Sequence, residues 1–237
     1  MSSSPPASAS LLPALRSNAW FGACSAPFQQ ALVDGAHVRH LSAGQALFER
    51  GEEAEGLCCV TAGALLAGAV HEDGARSLLA HLEPYQWFGE VSMLDGLPRT
   101  HDAVAETEAR VLVVPRDRLM AWLDAHPADW RHLARLACAK LRLVFTVLED
   151  IQRLPLEQRL ARRLWLTAQG YESDAPQAPP RRHIRVPQDQ LALMLGVSRQ
   201  SVNKALRQME TQGLLALRYG VIELLDLPSL QRLSAGS

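Results

Sequence analysis

The sequence is poor in cysteine, has almost no net charge and contains no long apolar run. Its four cysteines are Cys24, Cys58, Cys59 and Cys138, and no two of them form a Cys-x-x-Cys spacing. A disulfide framework or a tetrahedral zinc site is therefore not expected, whereas reduced thiols in the cytoplasm are. The net charge is −1 and no apolar stretch is long enough to cross a bilayer, so a membrane partner is not expected either.

The first ten residues, MSSSPPASAS, are rich in serine, proline and alanine. They lack the basic segment followed by an apolar core that marks a signal peptide, which again favours a cytoplasmic protein. We expect residues 1–19 to be disordered or to form short helical pieces, because this composition cannot bury enough apolar surface to order the chain.

Charge is distributed unevenly along the chain. Between Arg181 and Arg218 there are seven Arg or Lys residues and two acidic residues, which gives this segment a charge of about +5. Because the whole chain has a charge of −1, the remainder carries about −6. A basic segment joined to an acidic one suggests that the basic segment binds a polyanion.

Residues 20–126 are expected to form an antiparallel β-roll. From Ala31 to about Pro115, glycine recurs at short intervals and separates short apolar runs such as LCCVTAGALLAGAV. Short strands punctuated by turn residues are typical of small antiparallel rolls and barrels. Within this region Asp73-Gly74 is a two-residue hairpin signal.

Residues 127–154 are expected to form one long dimerisation helix, with Pro127 in its first turn and Pro155 ending it. Apolar residues recur at alternating intervals of three and four, which predicts the seam of a parallel coiled-coil dimer. The alternative is a single amphipathic helix lying on its own domain. The predicted dimer interface consists of Trp130, Leu133, Ala137, Val144, Val147 and Ile151. A second apolar stripe is expected to pack on the roll and consists of Leu136, Leu141, Phe145 and Leu148.

Residues 155–237 are expected to form a winged helix-turn-helix domain. The segment VPQDQLALMLGVSRQSVNKALRQMETQGLL predicts a short helix, a tight turn at Gly196 and a second helix capped by Ser198. Two short strands around Tyr219-Gly220 predict the wing. The inner face of the second helix recurs at intervals of four and three and consists of Val202, Leu206 and Met209.

The polar outer face of that second helix is the predicted DNA-reading surface. In a major groove, Arg and Lys pair with guanine acceptors and Gln pairs with adenine. An ordinary two-helix unit with a solvated charged face is the alternative, but the glycine turn, the serine cap and the local positive charge together favour DNA binding. The predicted DNA-binding residues are Gln188, Ser198, Arg199, Gln200, Ser201, Asn203, Lys204 and Arg207.

A glycine-rich roll, a long helix and a C-terminal winged helix, in this order, resemble the CRP/FNR family of bacterial transcription regulators. FGEVSMLDGLPRT resembles the family's phosphate-binding cassette, and QDQLALMLGVSRQSVNKALRQMETQGLL resembles its recognition unit. The resemblance implies an α+β fold whose roll is a double-stranded β-helix of the cyclic-nucleotide-binding type. It also implies a homodimer on a near-palindromic operator in double-stranded DNA, with RNA polymerase as a further partner.

The resemblance also assigns roles to single residues. Arg199, Gln200 and Lys204 would read bases, and Ser198 would contact the phosphate backbone. The cyclic AMP receptor has Glu where Gln200 stands and Arg where Lys204 stands, so a different operator sequence is expected. In the cassette, the residues implied to bind a cyclic nucleotide are Gly89, Glu90, Arg99 and Thr100.

The cassette departs from the family pattern at its end. His101 and Asp102 stand where small or apolar residues are usual, and Asp102 would repel a phosphate if it faced inward. The long helix has Val144 and Phe145 where cyclic AMP activators of the family have hydroxyl groups. The effector therefore stays open between cyclic AMP, another nucleotide and none.

A purely structural role for the cassette is the alternative to ligand binding. Glu90 and Arg99 would then form an internal ion pair that braces an empty roll.

An enzyme is not expected, and a cupin-like metalloenzyme is only the last of the alternative functions. A cupin-type metal site needs a His-x-His pair, whereas His37 and His40 have a spacing that sends them to opposite faces of a strand. No Ser/His/Asp or Cys/His arrangement is evident, so neither catalytic nor metal-binding residues are predicted. A further alternative is a nucleotide sensor whose helix-turn-helix does not bind DNA.

Overall fold

The computed structural model of the chain describes residues 11–70, 76–169 and 182–235. The chain divides into two compact units, Met1–Cys138 and Ala139–Ser237, and the boundary falls within the longest helix. Each unit has its own buried apolar core, as expected for two modest domains in a chain of this length. The predicted hairpin at Asp73-Gly74 and the first ten residues lie outside the described residues.

In the N-terminal unit, short helices precede the strands: α1 (Leu12–Leu15), α2 (Ala19–Gly22) and α3 (Ala26–Asp34). The strands are β1 (His37–Leu41), β2 (Ala46–Phe48), β3 (Gly56–Ala62), β4 (Leu65–Val70), β5 (Arg76–Leu82), β6 (Trp87–Phe88), β7 (Asp102–Ala105) and β8 (Ala109–Pro115). They form two antiparallel four-stranded sheets in the orders β1-β8-β3-β6 and β2-β7-β4-β5, so the predicted antiparallel roll is confirmed. The helices among and after the strands are α4 (Glu90–Asp95) and α5 (Arg116–Ala125).

Strands β3 and β8 each contribute to two apolar clusters. Because successive side chains of a strand point to opposite faces, Cys58 and Val113 enter the interior of the roll while Cys59 and Leu112 pack against the helices. The neighbouring cysteines therefore lie in different clusters, and no disulfide joins the four cysteines, all of which are described. Burial raises the pKa of the Cys58 thiol to about 12.

Helices α1 to α3 cover the outer face of the first sheet. Leu15 and Phe21 have no exposed surface, so the core includes residues before position 20, where the roll domain was expected to begin. Phe21 stacks on Trp87 with ring centroids 5.3 Å apart. The indole N–H of Trp20 donates to the backbone carbonyl of His132 at 2.6 Å, which ties α2 to the start of the long helix.

A short 3-10 turn, Pro127–Asp129, leads into the long helix α6 (Trp130–Arg153). The first turns of α6 belong to the N-terminal core, where Leu133 and Leu136 have no exposed surface and Trp130 is partly buried. Leu133 was predicted to lie in the dimer interface, and this prediction is wrong. A fully enclosed side chain has no surface left for a partner, because the roll already covers it.

The C-terminal unit is a winged helix-turn-helix, as predicted. Its elements after α6 are α7 (Leu156–Gln169), β9 (His183–Ile184), α8 (Gln188–Leu195), α9 (Arg199–Thr211), β10 (Leu215–Arg218), β11 (Val221–Leu224) and α10 (Leu227–Ala235). The strands form one antiparallel sheet in the order β10-β11-β9. One apolar core joins α7, the two helices of the motif, the sheet and α10.

Candidate phosphate cassette and DNA-binding surface

The candidate phosphate cassette joins strand β6 to helix α4. Gly89 precedes α4 with a φ of +88°, a left-handed conformation that residues with a side chain rarely adopt. A Cβ at this position would also lie 2.5 Å from Nη1 of Arg99, so the Arg99 side chain would have to shift. Glu90 begins the helix and is 3% exposed. Glycine is therefore favoured here by the backbone conformation, and the close approach of Arg99 adds to that preference.

Arg99 is the buried cation of the cassette, with 4% of its surface exposed. Its Nη1 donates to the carbonyl oxygen of Gly89 at 3.0 Å, and its Nη2 donates to that of Gly56 at 2.6 Å. The guanidinium lies over the ring of Phe48, with 4.1 Å between its Cζ and the ring centroid. Burial lowers the pKa of Arg99, while nearby anionic groups such as Glu90 oppose this shift. Its Nε–H is buried without a hydrogen-bond partner in the described part of the chain.

The loop between β2 and β3 is fastened to the end of the cassette by three hydrogen bonds. The amide of Gly51 donates to the carbonyl oxygen of Arg99 at 2.9 Å, and the amide of Arg99 donates to that of Glu52 at 2.8 Å. The amide of Arg50 donates to Oδ1 of Asp102 at 2.7 Å. The Asp102 carboxylate therefore braces this loop, which explains an acidic residue directly after a phosphate cassette.

Thr100 and His101 form a pair near the surface. Thr100 is exposed, and its Oγ1 lies 2.9 Å from Nδ1 of His101. Burial lowers the pKa of His101, and the positive charge of Arg50 lowers it further. The Thr100 hydroxyl, which was expected to face a nucleotide, is thus engaged with its neighbour while Arg99 is buried.

A cavity of about 400 Å³ opens beside Arg99, and Cys58 and Val113 line its inner end. Four glutamates and two arginines line it, which gives its wall a formal charge of −2, and carboxylates on this side disfavour the approach of a free anion. The sequence reasoning did not identify these glutamates, although the acidic stretch FERGEEAEG between two strands was a visible signal. The charged lining residues are Arg39, Glu49, Glu52, Glu53, Glu55 and Arg99.

The helix-turn-helix has the predicted turn and cap. Helix α8 ends at Leu195, and Gly196 follows in a left-handed conformation with a φ of +64°. Ser198 precedes α9, and its Oγ accepts a hydrogen bond from the amide of Ser201 at 3.1 Å. This bond satisfies one of the amides that a helix N-terminus leaves unpaired.

Helix α9 has one buried and one polar face. The predicted inner face is confirmed, since Val202, Leu206 and Met209 have no exposed surface. Ser201 and Asn203 are half-buried and flank the buried face on either side. The exposed members of the predicted DNA-binding set are Ser198, Arg199, Gln200, Lys204 and Arg207.

Two polar contacts tie the outer face of α9 to neighbouring elements. Nδ2 of Asn203 donates to Oε1 of Gln188, the first residue of α8, at 2.9 Å. Nη1 of Arg207 donates to Oε2 of Glu210 at 2.9 Å, and Oε1 of Glu210 accepts from the amide of Leu217 in β10 at 2.8 Å. The hydrogen bond from Leu217 lowers the pKa of Glu210, and Arg207 lowers it further. Arg207 is thereby directed toward the wing.

The wing has the predicted geometry. Strands β10 and β11 pair from Leu215 with Leu224 to Arg218 with Val221, and Tyr219-Gly220 forms the two-residue turn between them. Gly220 has a φ of +69° and the Tyr219 side chain is fully exposed at the tip.

The second half of α6 carries an exposed apolar stripe. Its members lie at alternating intervals of three and four, with Phe145 beside them, and about half of each side chain is exposed: Leu141, Val144, Phe145, Leu148 and Ile151. Leu141, Phe145 and Leu148 were expected to be covered by the roll, and their exposure corrects that expectation. Val147 of the predicted seam is half-buried and lines a small cavity with residues of α7 and α8. The exposed stripe therefore shares Val144 and Ile151 with the predicted seam and includes Leu148 in place of Val147.

Two further properties concern only the described residues. Among residues 11–70, 76–169 and 182–235, no group of three His, Cys, Asp or Glu side chains lies close enough to hold a metal ion. No helix in those same ranges is both long and apolar enough to span a bilayer.

Comparison with known proteins agrees with both units. Residues 38–126 match the model of the cyclic nucleotide-binding domain, and residues 158–233 match that of the Crp-like helix-turn-helix domain. The chain is 30% identical over 189 residues to a CRP-like cAMP-activated global transcriptional regulator of Mycobacterium tuberculosis, covering 80% of this chain and 84% of that protein.

Solved structures give the same result. A transcriptional regulator of the CRP family from Thermus thermophilus has a TM-score of 0.62 and 28% identity, over 84% of this chain and 97% of that one. FixK2 from Bradyrhizobium japonicum shares the fold with a TM-score of 0.74 at 22% identity, over 85% and 98% of the two chains. The chain therefore belongs to the CRP/FNR family of DNA-binding transcription regulators.

Proposed function

We propose that the protein binds a near-palindromic operator as a homodimer, with helix α9 of each copy in successive major grooves. The observation that carries this proposal is the division of α9 into a fully buried face and an exposed face of Arg, Lys and Gln side chains. Side chains at the N-terminal end of a recognition helix reach base edges in this geometry. Arg199, Gln200 and Lys204 are our candidates for base reading, with Ser198 and Ser201 near the phosphate backbone.

Selection from a random duplex library tests the base-reading assignment. We expect the wild-type chain to select a two-fold symmetric motif. Arg199→Ala should weaken binding to that motif by about 1–3 kcal/mol and relax one base position in each half-site. Arg232→Ala on α10 removes the same charge away from α9 and serves as the control. Equal losses on the selected and a scrambled duplex for Arg199→Ala would contradict base reading.

The homodimer is proposed from the exposed stripe of α6. Side chains of this size that are about half exposed form a contiguous apolar strip, and such strips usually mark protein interfaces. Leu141 and Leu148 alternate with Val144 and Ile151 at intervals of three and four, which is the seam spacing of a parallel two-helix coiled coil. The proposed interface therefore keeps Val144 and Ile151 of the predicted seam and contains Leu141 and Leu148 in place of its other members.

A disulfide experiment tests both the dimer and its direction. In a parallel dimer the two copies of Val144 face each other, so Val144→Cys in a Cys138→Ser background should oxidise to a covalent dimer at micromolar concentration. Cys138 is replaced because it is the exposed natural cysteine. Glu149→Cys, on the exposed side of the same helix, is the matched control and should stay monomeric on denaturing gels. Equal cross-linking of the two variants would contradict the proposed seam.

Control of DNA binding by a nucleotide in the roll is a second candidate function. Gly89, Glu90 and Arg99 retain the residue types of a phosphate cassette, and the relative from Mycobacterium tuberculosis is named as cAMP-activated. A cyclic phosphate is the expected ligand chemistry, since a guanidinium matches phosphate oxygens in a bidentate manner. Cyclic AMP, cyclic GMP and cyclic di-GMP should be compared by thermal shift with and without the Arg99→Lys substitution. A melting temperature that no nucleotide raises would support a regulator that works without one.

RNA polymerase is the second macromolecular partner that we propose, and the bacterial cytoplasm is the proposed location. Both follow from membership of a family of transcription regulators, as does the absence of an enzymatic activity. Transcription in vitro from a promoter carrying the selected motif tests this step. Output that changes with the wild-type chain and not with Arg199→Ala would support it, whereas unchanged output would contradict it.

A further inference from the structure

We infer that Asn203 is a positioning residue, which holds Gln188 so that the amide NH₂ group of Gln188 faces a DNA phosphate. The inference rests on the proposed binding mode and deepens it. Its observation is the hydrogen bond from Nδ2 of Asn203 to Oε1 of Gln188 at 2.9 Å, which joins the middle of α9 to the first residue of α8. The sequence had suggested independent DNA contacts for both residues.

The location of this pair favours a backbone contact. Asn203 lies one helical turn from Arg199 and one turn from Arg207, so it belongs to the face that approaches DNA. Gln188 lies at the N-terminus of α8, which follows Pro187 and has no side-chain cap. The first helix of a helix-turn-helix crosses the sugar-phosphate backbone, and unpaired amides at a helix N-terminus favour an anion there. Gln188 therefore stands beside the strand that borders the groove.

The chemistry of the two amides decides their orientation. A carboxamide has one oxygen that accepts and one NH₂ group that donates, whereas a phosphate oxygen only accepts. Because Asn203 donates to the oxygen of Gln188, the NH₂ group of Gln188 is the part left for the phosphate. Within the described residues, that NH₂ group makes no hydrogen bond, since the bond from Asn203 ends on the oxygen of Gln188. Without Asn203 the amide would rotate freely and would present its oxygen to the phosphate part of the time.

The same bond argues against base reading by Asn203. Bidentate recognition of adenine by Asn uses both its oxygen and its NH₂ group. One of the two hydrogens of the Asn203 NH₂ group is committed to Gln188, and this bond fixes the plane of the amide, so adenine could be recognised only in the one orientation that the bond allows. We therefore expect Asn203 to strengthen binding to every sequence rather than to one base.

A double-mutant cycle on DNA tests the inference. The wild-type chain is first used to select a duplex from a random library. Affinities of Asn203→Ala, Gln188→Ala and the double variant are then measured on the selected and a scrambled duplex at several KCl concentrations. We expect each single variant to bind both duplexes about threefold to tenfold more weakly for each bound copy, with the double variant no weaker than either. The salt slope should stay unchanged because both residues are neutral, whereas Lys204→Ala should lower it by about one for each bound copy.

Two controls separate this role from a general effect on the fold. Gln208→Ala removes another amide contact of α9, from Nε2 of Gln208 to Glu157 at 3.0 Å, and its effect should simply add to that of Gln188→Ala. The Asn203→Ala variant should select the same motif as the wild type. The melting temperature of the Asn203→Ala protein should match that of the Gln208→Ala protein. If Asn203→Ala does not fold, Asn203→Ser replaces it, because the serine hydroxyl is too short to reach Gln188.

The results that would contradict the inference differ from the result that would contradict the proposed binding mode. A relaxed base position in the Asn203→Ala motif, or an effect that adds to that of Gln188→Ala, would overturn the inference. Unchanged affinity of Asn203→Ala would overturn it as well. If the wild-type chain selects no motif, the proposed binding mode fails first, and that result is distinct from a failure of the pair.

Discussion

Replacement of Arg99 tests whether the cassette arginine is already part of the fold. In the structure its two Nη groups donate to the carbonyl oxygens of Gly56 and Gly89. In the part of the chain that the structure describes, strand β6 pairs with Cys58 and Cys59 of β3, so Gly56 lies beyond the end of that pairing. Arg99 supplies the donor that a longer β6 would have provided. Arg99→Ala would therefore open an edge of the roll even when no nucleotide is bound.

The size of the effect follows from these contacts. A hydrogen bond from a charged group contributes about 1.5–3 kcal/mol, so the loss of two should cost roughly 3–6 kcal/mol of unfolding free energy. The attraction between the guanidinium and Phe48 does not widen this range. The cost of removing water from a guanidinium that is 4% exposed offsets that attraction. Arg99→Lys keeps the charge but cannot reach both carbonyl oxygens, so it should lose about half as much.

Urea unfolding without nucleotide, followed by tryptophan fluorescence, measures this cost. Four of the five tryptophans lie in the N-terminal unit: Trp20, Trp87, Trp122 and Trp130. The signal therefore reports mainly on the roll and its helices. Arg39→Ala is the matched control, because Arg39 lines the same cavity and forms an exposed ion pair with Glu55 at 3.1 Å. Such a pair contributes about 0–1 kcal/mol.

The reasoning would be refuted if Arg99→Ala and Arg39→Ala had the same unfolding midpoint and slope. That result would mean that Arg99 contributes nothing to the empty roll and is held ready for a ligand. An intermediate midpoint for Arg99→Lys is the second requirement. If Arg99→Lys were as unstable as Arg99→Ala, the charge would not be what stabilises the two carbonyl oxygens.

Three further predictions concern other parts of the chain. Burial lowers the pKa of His132 below its ordinary value of 6.5, so the unfolded chain takes up a proton at a higher pH than the folded chain does. The unfolding free energy should therefore decrease as the pH drops below about 6.5. His132→Gln should reduce the drop in melting temperature between about pH 7 and pH 5. Ser198→Ala should cost about 1 kcal/mol and speed amide hydrogen exchange at the start of α9. Gly196→Ala should cost about 1 kcal/mol in urea unfolding because only its φ of +64° is unfavourable, whereas Gly89→Ala should cost more because a Cβ also meets Arg99.

The helix-turn-helix was predictable in detail because its determinants are local. The turn at Gly196 needs a left-handed residue, Ser198 caps the helix that follows it, and apolar residues recur at the helical period. Each signal lies within a few residues of the feature that it specifies. The roll was predictable as a class for the same reason, since its turns and short apolar runs are local patterns.

The dimer seam and the environment of Arg99 depend on contacts between distant parts of the chain. Periodicity locates the apolar stripes of α6 but not the stripe that the roll covers, and the burial of Leu133 and Leu136 decides this. The bond from Arg50 to Asp102 joins residues 52 positions apart. The acceptors of Arg99 are backbone carbonyl oxygens, which any residue could provide. No sequence pattern encodes such partners.

Arg99 is already bonded to the backbone through both Nη atoms, and this affects how a ligand experiment should be interpreted. The guanidinium has five N–H groups and donates two of them to the carbonyl oxygens of Gly56 and Gly89. A cyclic phosphate that uses only the remaining N–H groups would leave these bonds in place, and the melting temperature would rise by the full contribution of its contacts. A cyclic phosphate that turns the guanidinium would break them, so the rise would be only the difference between the new and the lost bonds. Release of Gly89 would also free the start of α4. The size of the rise in melting temperature therefore distinguishes a nucleotide that adds bonds to Arg99 from one that exchanges them.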